Sequence, residues 1–453
     1  MTDQDRPALP AEVEALVGPY LGRQRWYAGP EPVPGALRVE ATRALWASAD
    51  GSRRLWSAIV AAPGARYQLL VGQRPGGEAA EFLSGREDAL IGAVASCYYY
   101  DATVDPEMAL QLLRVVSGGV EHAERVRPVS AEQSNTSLVY DDRIILKVFR
   151  RLAEGANPDV DVTTALAAAG FAHVARPVAS WRVEGVDLAF AQQFLAGGSE
   201  GWALALTSLR DFYNGDNDDP AEAGGDFAGE ARRLGSMTAR MHLAMAEAFG
   251  IERAWLAEGA FGELIDDVAR RLDAATSILG NDLAGDAASL LDRLRAVPDP
   301  GPALRVHGDY HLGQVMRTDT GWYVLDFEGE PARPVSERVA PASPAKDVSG
   351  MLRSFHYASR HALREVGDGE RDALKVRARA WEDHNRAAFV EGYRSVAGIE
   401  QLLSGDAGVI VATYELDKAL YELDYERAYR PDWIDIPSEA LRRLLAESRS
   451  PES

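Results

Sequence analysis

A single cysteine, Cys97, stands in the 453 residues, so no disulfide within the chain is possible and a reducing compartment is expected. The expected place for Cys97 is that of a small buried residue. Long apolar runs are missing too. Stretches such as ALIGAV and GVIVA fall far short of the roughly 20 residues that span a bilayer. The opening MTDQDRPALP carries neither the basic start nor the apolar run of a signal peptide, and a soluble cytoplasmic protein is expected. Positive charge is scarce: 48 Lys and Arg against 69 Asp and Glu leave a net charge of -21. Such a field repels nucleic acid and anionic membrane, excludes both as expected partners, and favours a cationic ligand. A phosphate-bearing ligand would then need its own local cations and a metal.

What is present divides into three stretches, 1–122, 123–198 and 199–453. In the first, the runs over 38–60 and 66–73 (LRVEATRALWA, RLWSAIVAA, RYQLLVG) are separated by SADGS and PGA and read as a small antiparallel sheet, followed by a helix over 106–116. In the second, ERVRPVSAEQSNTSLVYDDRIILKVFRR reads strand, polar turn, strand, tight turn, strand. A helix ending at Gly170 and two or three further strands complete a small α+β lobe. The third carries 3.6-residue apolar periodicity almost throughout, broken by a polar loop at 214–225 and again around 304–328.

The second break, RVHGDYHLGQVMRTDTGWYVLDFEGEP (305–331), holds the chemistry. Two short apolar runs end in polar clusters, and a hairpin between them would gather Asp309, Gln314 and Asp326. An Asp can accept a hydroxyl proton, and an Asp beside an amide oxygen can hold a hard cation. Those are the parts that phosphoryl transfer to an alcohol requires. A lone Asp more often caps a turn or a helix. Here, however, His-Gly-Asp-x-His-x-x-x-Gln and Leu-Asp-Phe-Glu stand together.

This pattern resembles the active site of the aminoglycoside phosphotransferase-like kinases, and more narrowly that of the actinobacterial maltokinase and glucosamine kinase group. RQRWYAG (23–29) resembles the cap of that group, EQSNTSLVYDDRIILKVFRR its phosphate loop and lysine strand, and KDVSGMLRSFHYA and YELDKALYELDYE its larger lobe. The resemblance implies an α+β, bilobal, protein-kinase-like fold with an N-terminal cap subdomain (1–122), a small ATP-binding lobe (123–198) and a mainly helical lobe (199–453). It implies Asp309 as base, with Gln314 and Asp326 as Mg²⁺ ligands and Glu328 in support. It also implies Lys147, with Gln133, Ser134, Asn135, Thr136 and Ser137, on the phosphates of ATP. Asp161 stands where the partner of that lysine is expected. No G-x-G-x-x-G, HRD or APE pattern occurs, which sets the chain apart from protein kinases.

The acceptor site implied lies near the C-terminal helices, with His311, Glu415, Glu422, Asp424, Asp432 and Trp433 as candidates. Asp424 and Asp432 suit an ammonium group, which favours glucosamine phosphorylated on O6. Maltose, giving maltose 1-phosphate, is the alternative, and an aminoglycoside-type antibiotic is a third. The RWYAG segment speaks against the antibiotic, because those enzymes usually lack the cap. A monomer is expected.

Overall fold

The computed structural model describes residues 8–27, 37–78, 83–129, 135–153, 155–252, 260–279, 284–330, 333–403 and 405–447. The chain divides into two compact units, one of residues 1–164 and 175–196, the other of residues 165–174 and 197–453.

The first unit holds two sheets. Strands β1 (Arg38–Ala47), β2 (Arg54–Ala62), β3 (Ala65–Pro75), β4 (Leu90–Val94) and β5 (Cys97–Asp101) pair antiparallel in the order β1-β2-β3-β5-β4. β2 and β3 are nearly continuous buried runs because both their neighbours are strands and their faces are covered. Helix Ala11–Leu21 covers one face through Val13, Val17, Tyr20 and Leu21, packed with Trp56, Val60 and Tyr67. The ALIGAV run is thus β4, joined to β5 by Ala95–Ser96, both at positive φ as a two-residue hairpin needs. Cys97 is free, half-buried and accepts a weak bond from Gln73 Nε2 at 3.5 Å.

The second sheet runs β10 (Pro177–Val183), β11 (Val186–Gln193), β8 (Ile144–Phe149), β7 (Asn135–Tyr140), β6 (Val126–Pro128). Its tight turn is Asp141–Asp142, at φ 49° and 52°. Between the sheets lies helix Pro106–Val116, whose first turn is fixed by Pro106 and by Asp105 accepting from the Glu107 and Met108 N–H groups. Its Met108, Leu112 and Leu113 share one core with Leu55 and Leu70 of the first sheet and Leu146, Val148 and Ala189 of the second. A short strand, β9 (Arg151–Leu152), leaves the second sheet and pairs with β3. The two sheets are therefore covalently and hydrophobically interlocked.

The second unit is helical. Helices Ala228–Phe249 and Asp368–Arg394 approach closely at Gly235 and Gly392, where an added Cβ would stand 2.0 Å from a backbone carbonyl oxygen of the other helix. Helices Ala345–Arg364 and Ala407–Tyr429 complete the inner layer, and Ala260–Leu279, Ala284–Arg295 and Asp435–Glu447 pack outside the latter. The expected hairpin is present: β13 (Val315–Thr318) pairs with β14 (Gly321–Val324), and β12 (Ser199–Glu200) adds an edge. Among the described residues no helix is long and apolar enough to cross a membrane.

Candidate active site

The loop 305–314 and the β14 end carry the candidate groups, and a buried carboxylate holds them in place. Asp347, in the first turn of helix Ala345–Arg364, is fully buried. It accepts from the N–H groups of His307 at 2.8 Å and Gly308 at 2.9 Å, and faces His242 Nε2 at 3.1 Å. Asp347 titrates below its usual range. Burial pushes it up, but the His242 bond and the charges of His242 and His307 outweigh burial. As an ionised carboxylate only accepts, His242 must carry its proton on Nε2. His307 is buried, with Nε2 on the Leu325 carbonyl at 2.9 Å, so it ties the loop to the end of β14.

Asp309 follows directly. Its Oδ1 accepts from Lys418 Nζ at 3.2 Å, and Lys418 also donates to Glu330 Oε1 at 2.7 Å. Burial pushes Asp309 up, and the Lys418 ammonium, then His311 and His307, bring it below the usual carboxylate range. It is therefore ionised at neutral pH and free to take a proton. His311 caps the short turn Leu312–Gln314 by accepting from the Gly313 N–H at 3.0 Å, and burial lowers its pKa.

Gln314 and Asp326 are brought together by the β13–β14 pairing, with Gln314 Nε2 3.3 Å from Asp326 Oδ2. Asp326 sits at φ 61°, a left-handed conformation that a non-glycine residue adopts at a cost of about 1–3 kcal/mol. Glu328 lies two residues on, its carbonyl accepting from Arg338 at 2.9 Å.

Beside this loop is a cavity of about 560 Å³ lined by His311, Arg353, Tyr357, Lys418, Glu422 and Trp433 among others. That volume lies in the range of small-molecule sites. Of the expected acceptor residues it gathers His311, Glu422 and Trp433. Glu422 is bonded to Arg353, and Trp433 is stacked on His361 at 5.4 Å with the guanidiniums of Arg364 and Arg430 each 5.1 Å from its ring. The other three are elsewhere. Glu415 is buried in a bidentate pair with Arg386 at 2.7 and 3.0 Å, away from this cavity. Asp424 is 58% exposed, with Arg427 as its neighbour at 3.9 Å. Asp432 is exposed and offers its backbone carbonyl, not its carboxylate, to Arg364. The geometry therefore corrects the assignment of Glu415, Asp424 and Asp432 to the acceptor.

In the first unit, Lys147 on β8 is 8% exposed and donates to Asp159 Oδ2 at 3.0 Å. The expected partner Asp161 is exposed. Two residues along a helix are about 200° apart, so Asp159 faces inward and Asp161 outward. Ser137 is directly opposite Lys147 across the β7–β8 pairing, and Asn135 lies two residues before it, so both share the face of Lys147. Thr136 points to the other face and accepts from Arg150 Nε at 2.8 Å, which corrects its assignment to the phosphates. Gln133 and Ser134 lie outside the described residues.

Lys418, Glu330, Asp347 and Asp159 were not singled out from sequence. Asp347 and Asp159 each stand in the first turn of a helix, a position that sequence can show; Lys418 and Glu330 carry no such signal.

The sequence model of the phosphotransferase enzyme family matches residues 125–388, and that of the maltokinase N-terminal cap domain matches residues 20–105. The glucosamine kinase of Streptacidiphilus jiangxiensis is 28% identical over 438 residues, covering 92% of this chain and 93% of that one. The glucosamine kinase of Mycolicibacterium smegmatis is 25% identical over 366 residues, covering 74% and 84%. Among solved structures, a glucosamine kinase in complex with glucosamine, ADP and inorganic phosphate aligns with a TM-score of 0.68 at 22% identity, over 96% of this chain and 99% of that one. The fold is thus the expected kinase-like one with an N-terminal cap.

Proposed function

The chain belongs to the phosphotransferase enzyme family, and on that premise we propose that it transfers the terminal phosphoryl group of ATP to O6 of D-glucosamine, giving glucosamine 6-phosphate. The observation that carries the reading is the likeness, over nine-tenths of both chains, to a protein named as a glucosamine kinase. The site agrees with the chemistry. Asp309 is an ionised carboxylate beside a cavity of small-molecule size. The amino-sugar preference no longer rests on Asp424 or Asp432. Glu422 and Glu200 are the carboxylates that line the cavity.

In the proposed step the acceptor hydroxyl gives its proton to the second oxygen of Asp309. Its oxygen lone pair forms the bond to the γ-phosphorus. The bond from that phosphorus to the β-bridging oxygen breaks, and its electron pair leaves with ADP. Lys147, Asn135 and Ser137 are proposed as phosphate-contacting groups. Gln314 and Asp326 fit a magnesium ion: an amide and a carboxylate lie side by side, both are hard oxygen donors, and two protein ligands suffice for a cation that keeps water and phosphate oxygens. When bound, Mg²⁺ would neutralise charge on the phosphates. The chain itself supplies the fixed base, the paired amide and carboxylate, and the cavity.

The cap match to maltokinase favours a second reading, maltose as acceptor. ADP release with Mg·ATP against glucosamine, N-acetylglucosamine, glucose, maltose and kanamycin separates them. Mass and ³¹P spectra of the product locate the phosphate. Turnover of glucosamine well above glucose, with the phosphate on O6, is expected. Turnover of maltose alone would replace the proposal with the second reading.

A further inference from the structure

Lys418 has no role in the family pattern as read from sequence, yet it makes the closest side-chain contact to the base. It rises from helix Ala407–Tyr429, 109 residues along the chain from Asp309. Its ammonium sits 2.7 Å from Glu330 Oε1, 3.2 Å from Asp309 Oδ1 and 5.1 Å from the Tyr421 ring centre. Glu330 is itself 6% exposed, and its other oxygen accepts from Arg333 Nε at 2.7 Å. The ammonium is thus held between two carboxylates, closer to the one that has no part in the reaction.

We infer that Lys418 is the positioning residue for Asp309, occupying one carboxylate oxygen so that the other meets the acceptor hydroxyl, and that Glu330 holds the ammonium back from neutralising the base. The inference rests on the reading of Asp309 as base. A full ion pair with Lys418 would make Asp309 a poor proton acceptor. No cation at all would leave a buried carboxyl that protonates near neutral pH. Sharing the cation with Glu330 sets the base between those extremes. The charged and titratable groups around this cluster are His307 and His311 on its own loop, with Asp347 behind His307, Asp326 after β14, Lys346 on helix Ala345–Arg364, Arg333 beside Glu330, and Tyr421 and Glu422 on the helix of Lys418. None of these other groups is hydrogen-bonded to both Asp309 and a second carboxylate, so the two substitutions below act in opposite directions on one group.

In Lys418→Met, Asp309 loses its largest favourable charge, and its titration moves up by about 1–3 pH units. In Glu330→Gln, a negative neighbour is lost and the ammonium swings wholly to Asp309, so the titration moves down. Lys418→Arg keeps the charge and restores most of the wild-type position. Titration of ¹³C-carboxyl-labelled protein by NMR, with Asp309 assigned by its absence in Asp309→Asn, reads these shifts without any substrate. The acid limb of kcat/KM on the best acceptor should follow the same order, with KM for ATP unchanged. Melting curves confirm folding. If the Met variant does not fold, Glu330→Gln and Lys418→Arg carry the test. An Asp309 titration that stays fixed in folded variants, or moves the same way in both, overturns the inference. Failure of the wild-type chain to phosphorylate any sugar would instead overturn the proposed function, and the NMR titration would still decide this one.

Discussion

Replacing Asp347 by Asn should loosen the whole catalytic loop while changing only one oxygen into an amide. The carboxylate takes two donors on Oδ2 (the His307 N–H and His242 Nε2) and one on Oδ1 (the Gly308 N–H). The least costly amide orientation keeps oxygen at the Oδ2 place and sets its NH₂ against the Gly308 N–H. That leaves one buried donor unpaired, at about 1–3 kcal/mol, and turns two charge-assisted bonds into neutral ones, at about 1 kcal/mol each. The expected loss is about 3–5 kcal/mol, a large share of an ordinary stability of about 5–15 kcal/mol. For a domain of this size that corresponds to a fall in Tm on the order of 10 °C. Because Gly308 is bonded to Asp309, the base also shifts, and kcat should fall by about 100-fold for a displacement near 1 Å. The pH dependence has a definite sign. Asp347 titrates below its usual value in the folded chain, so its contribution is present above pH ~3.9 and is lost as pH falls through the lower folded value. The gap in Tm between wild type and variant should therefore be constant at neutral pH and close only below about pH 4. Calorimetry from pH 3 to 8, with ADP release at pH 7.5, measures both effects. A variant that melts within about 2 °C of wild type and keeps its kcat would refute the argument that this carboxylate fixes the loop.

Two further expectations concern packing and pairing. Asp159→Asn should cost about 1.5–3 kcal/mol and raise KM for ATP, because Lys147 stays buried without that carboxylate, whereas the exposed Asp161→Asn should leave both unchanged. Isothermal titration with ATP and thermal melts separate the two. Gly392→Ala should lose about 1–3 kcal/mol or more, since its Cβ would stand 2.0 Å from the Arg232 carbonyl oxygen. Gly262→Ala, in a helix with nothing within 4 Å, should be neutral or slightly stabilising in the same urea titration.

The helical unit and the hairpin that carries Asp309, Gln314 and Asp326 were legible because each depends on local pattern. Apolar residues recur at helical spacing, and two short apolar runs flank a turn. β4 and helix Ala11–Leu21 were not read as elements. β4 is five residues long, below the length at which alternation is distinctive, and the helix is apolar nearly all round and carries Gly18 and Pro19, so it shows no one-sided helical pattern. The acids of helix Ala407–Tyr429 show a different limit. Composition alone presents Glu415, Glu422 and Asp424 as equivalent carboxylates. In the fold, Glu415 is neutralised by Arg386, Glu422 by Arg353, and Asp424 faces outward beside Arg427. Helix phase decides which of them turns inward, and an arginine from a distant helix decides which remains available. Lys418 lies on the same helix among these acids, where a lysine reads in sequence as an ordinary surface charge. It became meaningful only when helix packing set it against two carboxylates more than eighty residues away. Where an active site is closed by a helix remote in sequence, the base is visible in its motif. The charge that tunes that base is visible only in the packing.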